Sequence, residues 1–176
     1  MGTRGLVGIK VNGKKKYSYN HFDSYPDGLG MDVVNFCKTV NNWGKFKKNA
    51  ADVMLVSERS KPSVAIQKKY AKFCNVGVSE GKADNWYCLL HDVQGVATFE
   101  QIYNGNLSHM INSNSFIKDS LFCEYAYVIN LDTMNLEMYK GFQKKGKKYL
   151  PCKLVGEFPL TDIPDDWKEK AFPSKD

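Results

Sequence analysis

Arginine is almost missing from this sequence. Of its 25 basic side chains only Arg4 and Arg59 are arginines; the other 23 are lysines. Two-pronged contacts to bases and phosphates use the planar arginine fork, so its scarcity makes nucleic acid the less favoured partner. Long apolar runs are missing too. No stretch approaches the roughly 18 consecutive apolar residues of a membrane span, so no membrane partner is expected. The first residues lack the apolar core of a secretory leader, and the expected location is the cytoplasm. The five cysteines, Cys37, Cys74, Cys88, Cys123 and Cys152, contain no C-x-x-C pair. Neither a zinc knuckle nor a thioredoxin-type redox site is indicated, and thiols set in apolar patterns read as buried and reduced. There is no G-x-S-x-G elbow, Walker loop or dinucleotide fingerprint. No metal and no cofactor are expected.

What is present suits a globular chain. The sequence has 176 residues, 43% apolar and 25% charged, enough for one domain with a full core. The net charge of +6 is unevenly spread: residues 1–72 carry a balance of +9, residues 73–139 one of −6, and residues 140–176 one of +3. Such asymmetry suits an anionic partner, or equally a solvated lysine-rich surface.

The pattern at the start predicts a β-hairpin within residues 3–23. Val7, Ile9 and Val11 alternate with Leu6, Gly8 and Lys10, and Asn12-Gly13 is a strong turn signal. Matching apolar residues across the two strands favours a three-residue loop, with Ile9 facing Tyr17 and Val7 facing Tyr19. That register would set His21 opposite Gly5 and Asp23 opposite Thr3, leaving room over the glycine for a ligand. Residues 31–110 read as helical. Val33, Val34, Cys37 and Val40 form one stripe, ended or bent by Trp43-Gly44. A second helix covers 45–61 with Ala50, Val53 and Met54 inward, and a third follows Pro62 with Ile66, Tyr70 and Phe73. Residues 75–85 read as a loop, and two further stripes begin at Trp86 and Val96. Residues 122–160 return to alternating strands, 143–149 read as a lysine-rich loop, and the tail carries one helical turn before fraying. Strands, then helices, then strands predict a single α+β domain over 1–176. Its antiparallel sheet would come from hairpins at both ends of the chain, covered by the middle helices.

The stretch from Tyr19 to Asp32, "YNHFDSYPDGLGMD", is the candidate site. His21 and Asp23 are two apart and would share a strand face, where an imidazole exchanges protons near neutral pH and a carboxylate orients it. They are the candidate catalytic pair. Thr3, Arg4 and Gly5 beside them, with Tyr25 and Asp27, are the candidate ligand contacts. The alternative is turn chemistry: Asp23 and Ser24 bonding their own backbone, and Tyr25-Pro26-Asp27-Gly28 as a turn string. A phosphate at the glycines is disfavoured by Asp27 and Asp32. An N-terminal nucleophile mechanism needs Cys, Ser or Thr exposed by processing, and removal of Met1 would expose Gly2. His91 and His109 are isolated in the sequence; His91, near a helix end, is well placed to meet terminal carbonyls.

"TRG" at the start, "NHFDSYPDGLG" after the hairpin, "WYCLL" in the middle and "LFCEYAYVINLD…LEMYKGF" near the end resemble a scattered family of uncharacterised bacterial and bacteriophage proteins. That family commonly carries T-R followed by G or S near the N-terminus, and an H-x-D-x-Y-P core with W or F at its second position and G or S at its fourth. Thr3, Arg4, His21, Asp23, Tyr25 and Pro26 match its motif. The resemblance implies a shared architecture and a phage or mobile-element setting, hence the host cytoplasm, without assigning a reaction. Three functions stay open. The first is an accessory protein that binds, or hydrolyses, an anionic small molecule such as a nucleotide at His21 and Asp23. The second is a non-catalytic inhibitor of a host defence protein. The third is a nucleic-acid-binding accessory protein.

Overall fold

The computed structural model describes residues 2–78 and 82–174. The part of the expected loop at 79–81 and the frayed end expected at 175–176 lie outside the described residues. Along the chain run β1 (Gly5–Val11), β2 (Lys14–Asn20), α1 (Met31–Thr39), α2 (Trp43–Asp52), β3 (Met54–Val56), α3 (Val64–Lys69), α4 (Trp86–Leu90), α5 (Val96–Tyr103), β4 (His109–Ile111), β5 (Tyr125–Asn130), β6 (Asn135–Lys140), β7 (Lys144–Lys145), β8 (Lys148–Tyr149), β9 (Lys153–Pro159) and α6 (Trp167–Ala171). This is the expected α+β arrangement. The main sheet has the order β2-β1-β5-β6-β9 and joins the two ends of the chain. It is mixed rather than purely antiparallel, because β1 and β5 pair in parallel where the two hairpins meet.

Both faces of that central pair are covered, which explains their nearly continuous apolar sequence. Val7, Ile9, Val11, Tyr127 and Ile129 face a large core with Val33 and Val34 of α1, Phe46 of α2, Phe99 and Ile102 of α5, and Trp167 of α6. Leu6, Ala126 and Val128 face a smaller cluster with Tyr17 and Cys123, closed by Phe116 and Ile117.

The two-sided burial also overturns the expected hairpin register. Asn12 and Gly13 both take positive φ, 52° and 72°, the conformation of a two-residue mirror-image turn. Ile9 therefore pairs with Lys16 and Val7 with Ser18. Matching apolar to apolar assumes one wet face, and here β1 is buried on both faces. Tyr17 lies across from Gly8, where an added Cβ would come within 2.3 Å of the ring, so the tyrosine fills the space the glycine leaves. Lys16 is only 5% exposed. Its ammonium donates to the carbonyls of Ala50, Ala51 and Val53 at 2.8, 2.8 and 2.6 Å. These carbonyls lie at and just past the end of α2; that of Ala50 also accepts from the Val53 amide at 3.3 Å, and the lysine tip serves as a further C-terminal cap inside the core. The Asp132 carboxylate holds the turn from outside, accepting from the Asn12 and Gly13 amides at 2.8 and 2.9 Å.

The helical middle differs in two places from the expectation. Trp43-Gly44 does not end the first helix; it opens α2, where the Asn42 side chain caps the Lys45 amide at 2.9 Å. The second helix stops at Asp52 rather than running to 61. Met54–Val56 instead pairs in parallel with His109–Ile111, a second small sheet. Met54 is 62% exposed rather than inward. β-branched Val53 and Val56 favour extended backbone, and the partner strand lies more than fifty residues away. Within the stretch expected as a lysine-rich loop, β7 and β8 form a minimal hairpin around Gly146.

Candidate functional site

The 19–32 stretch is held from several sides. Asn20, not His21, pairs with Gly5. The space over Gly5 is taken: a Cβ there would meet the Tyr125 carbonyl at 2.3 Å and Ser24 at 2.7 Å, so no ligand room exists at that point. Ser24 is fully buried. Its amide donates to the Thr3 carbonyl at 3.1 Å, its hydroxyl accepts from Asn20 Nδ2 at 2.8 Å, and its carbonyl accepts from the Tyr127 hydroxyl at 3.1 Å. Asp23 takes a positive φ of 53° and gives its carbonyl to the Leu29 amide at 2.8 Å.

The candidate residues are thereby dispersed. His21 is exposed; its Nδ1 meets the Tyr19 hydroxyl at 2.7 Å and its ring stands edge-on to Phe22 at 4.2 Å. Arg4 lies over the Phe122 ring at 4.8 Å. Tyr25 is 40% exposed. Asp27 pairs with Lys168 of α6. The structure brings Thr3 and Gly5 against Ser24, and His21 against Tyr19. Among the described residues it shows no hydrogen bond between His21 and Asp23.

A cavity of about 400 Å³ opens on the other side of Tyr19. Leu90, Val93, Leu107 and Met110 are buried residues of its wall. Tyr19 and Phe116, edge to face at 5.2 Å, form one aromatic border, and Tyr87 with His91, at 4.9 Å, forms another. Among the described residues no lysine or arginine lines it, and Glu58 is the one carboxylate that does. Burial raises the Tyr19 hydroxyl pKa, opposed by Arg4. The 19–32 stretch reaches this cavity through Gln94, whose Oε1 accepts from the His21 amide at 3.0 Å and whose Nε2 donates to the His91 carbonyl at 2.8 Å.

Two of the three histidines line the same cavity. The buried Nδ1 of His91 has no hydrogen-bond partner, the one such side-chain atom among the described residues. Its expected carbonyl contacts at the helix end are not formed by that nitrogen. His109 is held differently: its Nδ1 lies 2.6 Å from the Tyr70 hydroxyl. Its ring is tilted 30° from Trp86 at 5.2 Å. Burial, reinforced by the Lys69 charge, lowers the His109 pKa and favours the neutral ring.

Beside this cavity lies a second, wider cleft of about 750 Å³. The two share Glu58, Ile111, Asn112, Ser113 and Ser115 as a common wall. The second cleft is basic: among the described residues, Lys15, Arg59 and Lys118 line it against the single carboxylate of Glu58. The shared wall is fixed to the sheet edge. Asn114 Oδ1 accepts from the Tyr17 amide, its Nδ2 donates to the Lys15 carbonyl, both at 2.8 Å, and the Ser113 amide donates to the Tyr17 carbonyl at 2.9 Å. Side chain and backbone of 113–114 thus cover the open edge of β2.

No protein-family model, curated protein or solved structure matches this chain. The apolar walls and aromatic borders of the double cavity suit a planar group, and its basic half suits an anion. Among the described residues no group of three or more His, Cys, Asp or Glu side chains is arranged to hold a metal ion. Sequence reasoning read His91 and His109 as isolated, and passed over Tyr87, Glu58 and the cations at 15, 59 and 118. Their one advance signal was the rarity of arginine and histidine, which makes each occurrence worth locating.

Proposed function

We propose that this protein binds an anionic small molecule with a planar head, of the nucleotide class. The head enters the aromatic cavity and the phosphate lies in the basic cleft. The observation that carries this reading is the adjacency of two chemically opposite cavities across one wall, the first, among the described residues, without a lysine or arginine and the second lined by three cations. The anionic ligand expected from the charge distribution is kept, and its site moves from the His21–Asp23 turn to the far side of Tyr19. In the phage or mobile-element setting that the resemblance implies, such a protein captures a host nucleotide.

Titration calorimetry with AMP, GMP, CMP and UMP, each against its nucleoside, tests this. Nucleotides are expected to bind about tenfold or more tightly than nucleosides, the gain from charge-assisted phosphate contacts. The combined variant Lys15→Ala, Arg59→Ala, Lys118→Ala is expected to erase that difference while keeping the melting temperature, because all three side chains are on the surface. Equal affinity for nucleotides and nucleosides, or no binding of either, overturns the reading.

A further inference from the structure

The cavity contains one side chain whose proton placement is dictated by its surroundings. Tyr70 is fully buried. Its hydroxyl oxygen accepts from the Ser108 amide at 3.1 Å. The hydroxyl has one proton to give and two neighbours, His109 Nδ1 at 2.6 Å and Ser108 Oγ at 3.1 Å. Ser108 Oγ already accepts from the Lys69 ammonium at 3.0 Å. The phenol is a good donor and a neutral imidazole nitrogen a good acceptor, so the shortest contact takes the proton. His109 Nδ1 then accepts, and the ring carries its own hydrogen on Nε2.

The direction of that N–H follows from the same contacts. Tyr70, Ser108 and Trp86 hold the Nδ1 edge and one ring face, and none of them lines the cavity, whereas His109 does. Nε2, on the far side of the ring, has no hydrogen-bond partner among the described residues. We propose that His109 is the cavity's fixed hydrogen-bond donor, and that it selects a ligand head bearing an in-plane acceptor, a ring nitrogen or carbonyl oxygen as in a nucleobase. This rests on the nucleotide reading above and adds which edge of the head is read and by which atom. Tyr70 is a positioning residue in this scheme. It acts through the imidazole, by locking the tautomer, and does not itself line the cavity.

Two measurements test it. In the first, the ring nitrogens of His109 are observed by ¹⁵N NMR in the ligand-free protein. An acceptor-type Nδ1 and a protonated Nε2 are expected, with Tyr70→Phe converting the ring to a mixture of tautomers. A protonated Nδ1 in the unaltered protein overturns the proposal. In the second, AMP, GMP, CMP and UMP are compared with ribose 5-phosphate, which keeps the phosphate and lacks the head. His109→Ala is expected to weaken the nucleotides about tenfold and leave ribose 5-phosphate unchanged. His109→Gln, whose amide restores a donor near the Nε2 position, is expected to recover most of the loss, and Tyr70→Phe to weaken the same ligands selectively. If ribose 5-phosphate binds as tightly as the nucleotides, the head is not read, and this inference fails while the basic cleft stands. If no compound binds, ribose 5-phosphate included, both readings fall.

Discussion

Lysine 16 shows how far a side chain departs from its usual habit when a helix end needs it. Its ammonium replaces water at three carbonyls at the end of α2, of which only that of Ala50 also has a backbone donor, the Val53 amide. Burial, with help from the Lys14 charge, lowers its pKa. Lys16→Met keeps the stem and removes the donor, and is expected to cost about 2–3 kcal/mol in urea unfolding, the penalty for carbonyls left unpaired. The neighbouring surface lysines should be near neutral by the same measurement. Phe142 is a case of the opposite sign. It takes a φ of 55° while its side chain is 53% exposed, a left-handed backbone with little packing to offset it. Phe142→Gly is expected to raise stability by roughly 0.5–1 kcal/mol, since glycine takes that conformation freely but costs more entropy to order. A lowered unfolding midpoint would show that the ring contributes more than its exposure suggests.

The strands are tied across their second face by a charged network. Glu137, on β6, is 5% exposed. It accepts from Lys10 of β1 at 2.6 Å, from Tyr139 at 2.6 Å and from Asn130 of β5 at 2.8 Å. Burial alone would raise its pKa, but the bonds from Asn130, Lys10 and Tyr139 outweigh it and hold the carboxyl below its ordinary 4.5. A depressed folded value means stability that is fully present above the ordinary carboxylate range and is lost as pH falls through the folded value. The unfolding midpoint should therefore drop below about pH 4.5, and Glu137→Gln should flatten that drop while lowering stability at neutral pH. An unchanged acid profile in the variant would move the acid sensitivity elsewhere. The same elements show why pattern matching erred at the hairpin. Alternation located both strands and the Asn12-Gly13 turn. The register depended on Gly8 making room for Tyr17 within the hairpin, and on Lys16 reaching α2, a contact that exists only once the other layers are in place.

Across the molecule, cations from the basic first stretch and from the acidic middle of the sequence meet in one place. Lys15, Arg59 and Lys118 are far apart in the chain and line one cleft. Screening by salt acts on exposed charges far more than on stacking. Raising ionic strength from about 0.05 to 0.5 M is therefore expected to weaken nucleotide binding severalfold and leave nucleoside binding nearly unchanged. A parallel loss for both would place the anion outside the basic cleft. Among the described residues no helix is long and apolar enough to cross a membrane, in keeping with the absence of long apolar runs.

Local chemistry was enough for the α+β class, the terminal strands, the stripes of α1 and α5, and the turn at Asn12-Gly13, because periodicity and turn residues act within a few positions. The candidate site was not legible in the same way. The "HFDSYP" stretch drew attention because its polar residues are adjacent in the chain, and folding uses Ser24, the Asp23 carbonyl and Asn20 to pin the turn. His91 and His109, eighteen positions apart and on different elements, line one cavity only because α4 packs beside β4. The short β3–β4 pair joins segments more than fifty residues apart. Adjacency in sequence reports on backbone geometry, whereas a cavity is made where separate elements fail to fill space between them, and that is decided by tertiary packing.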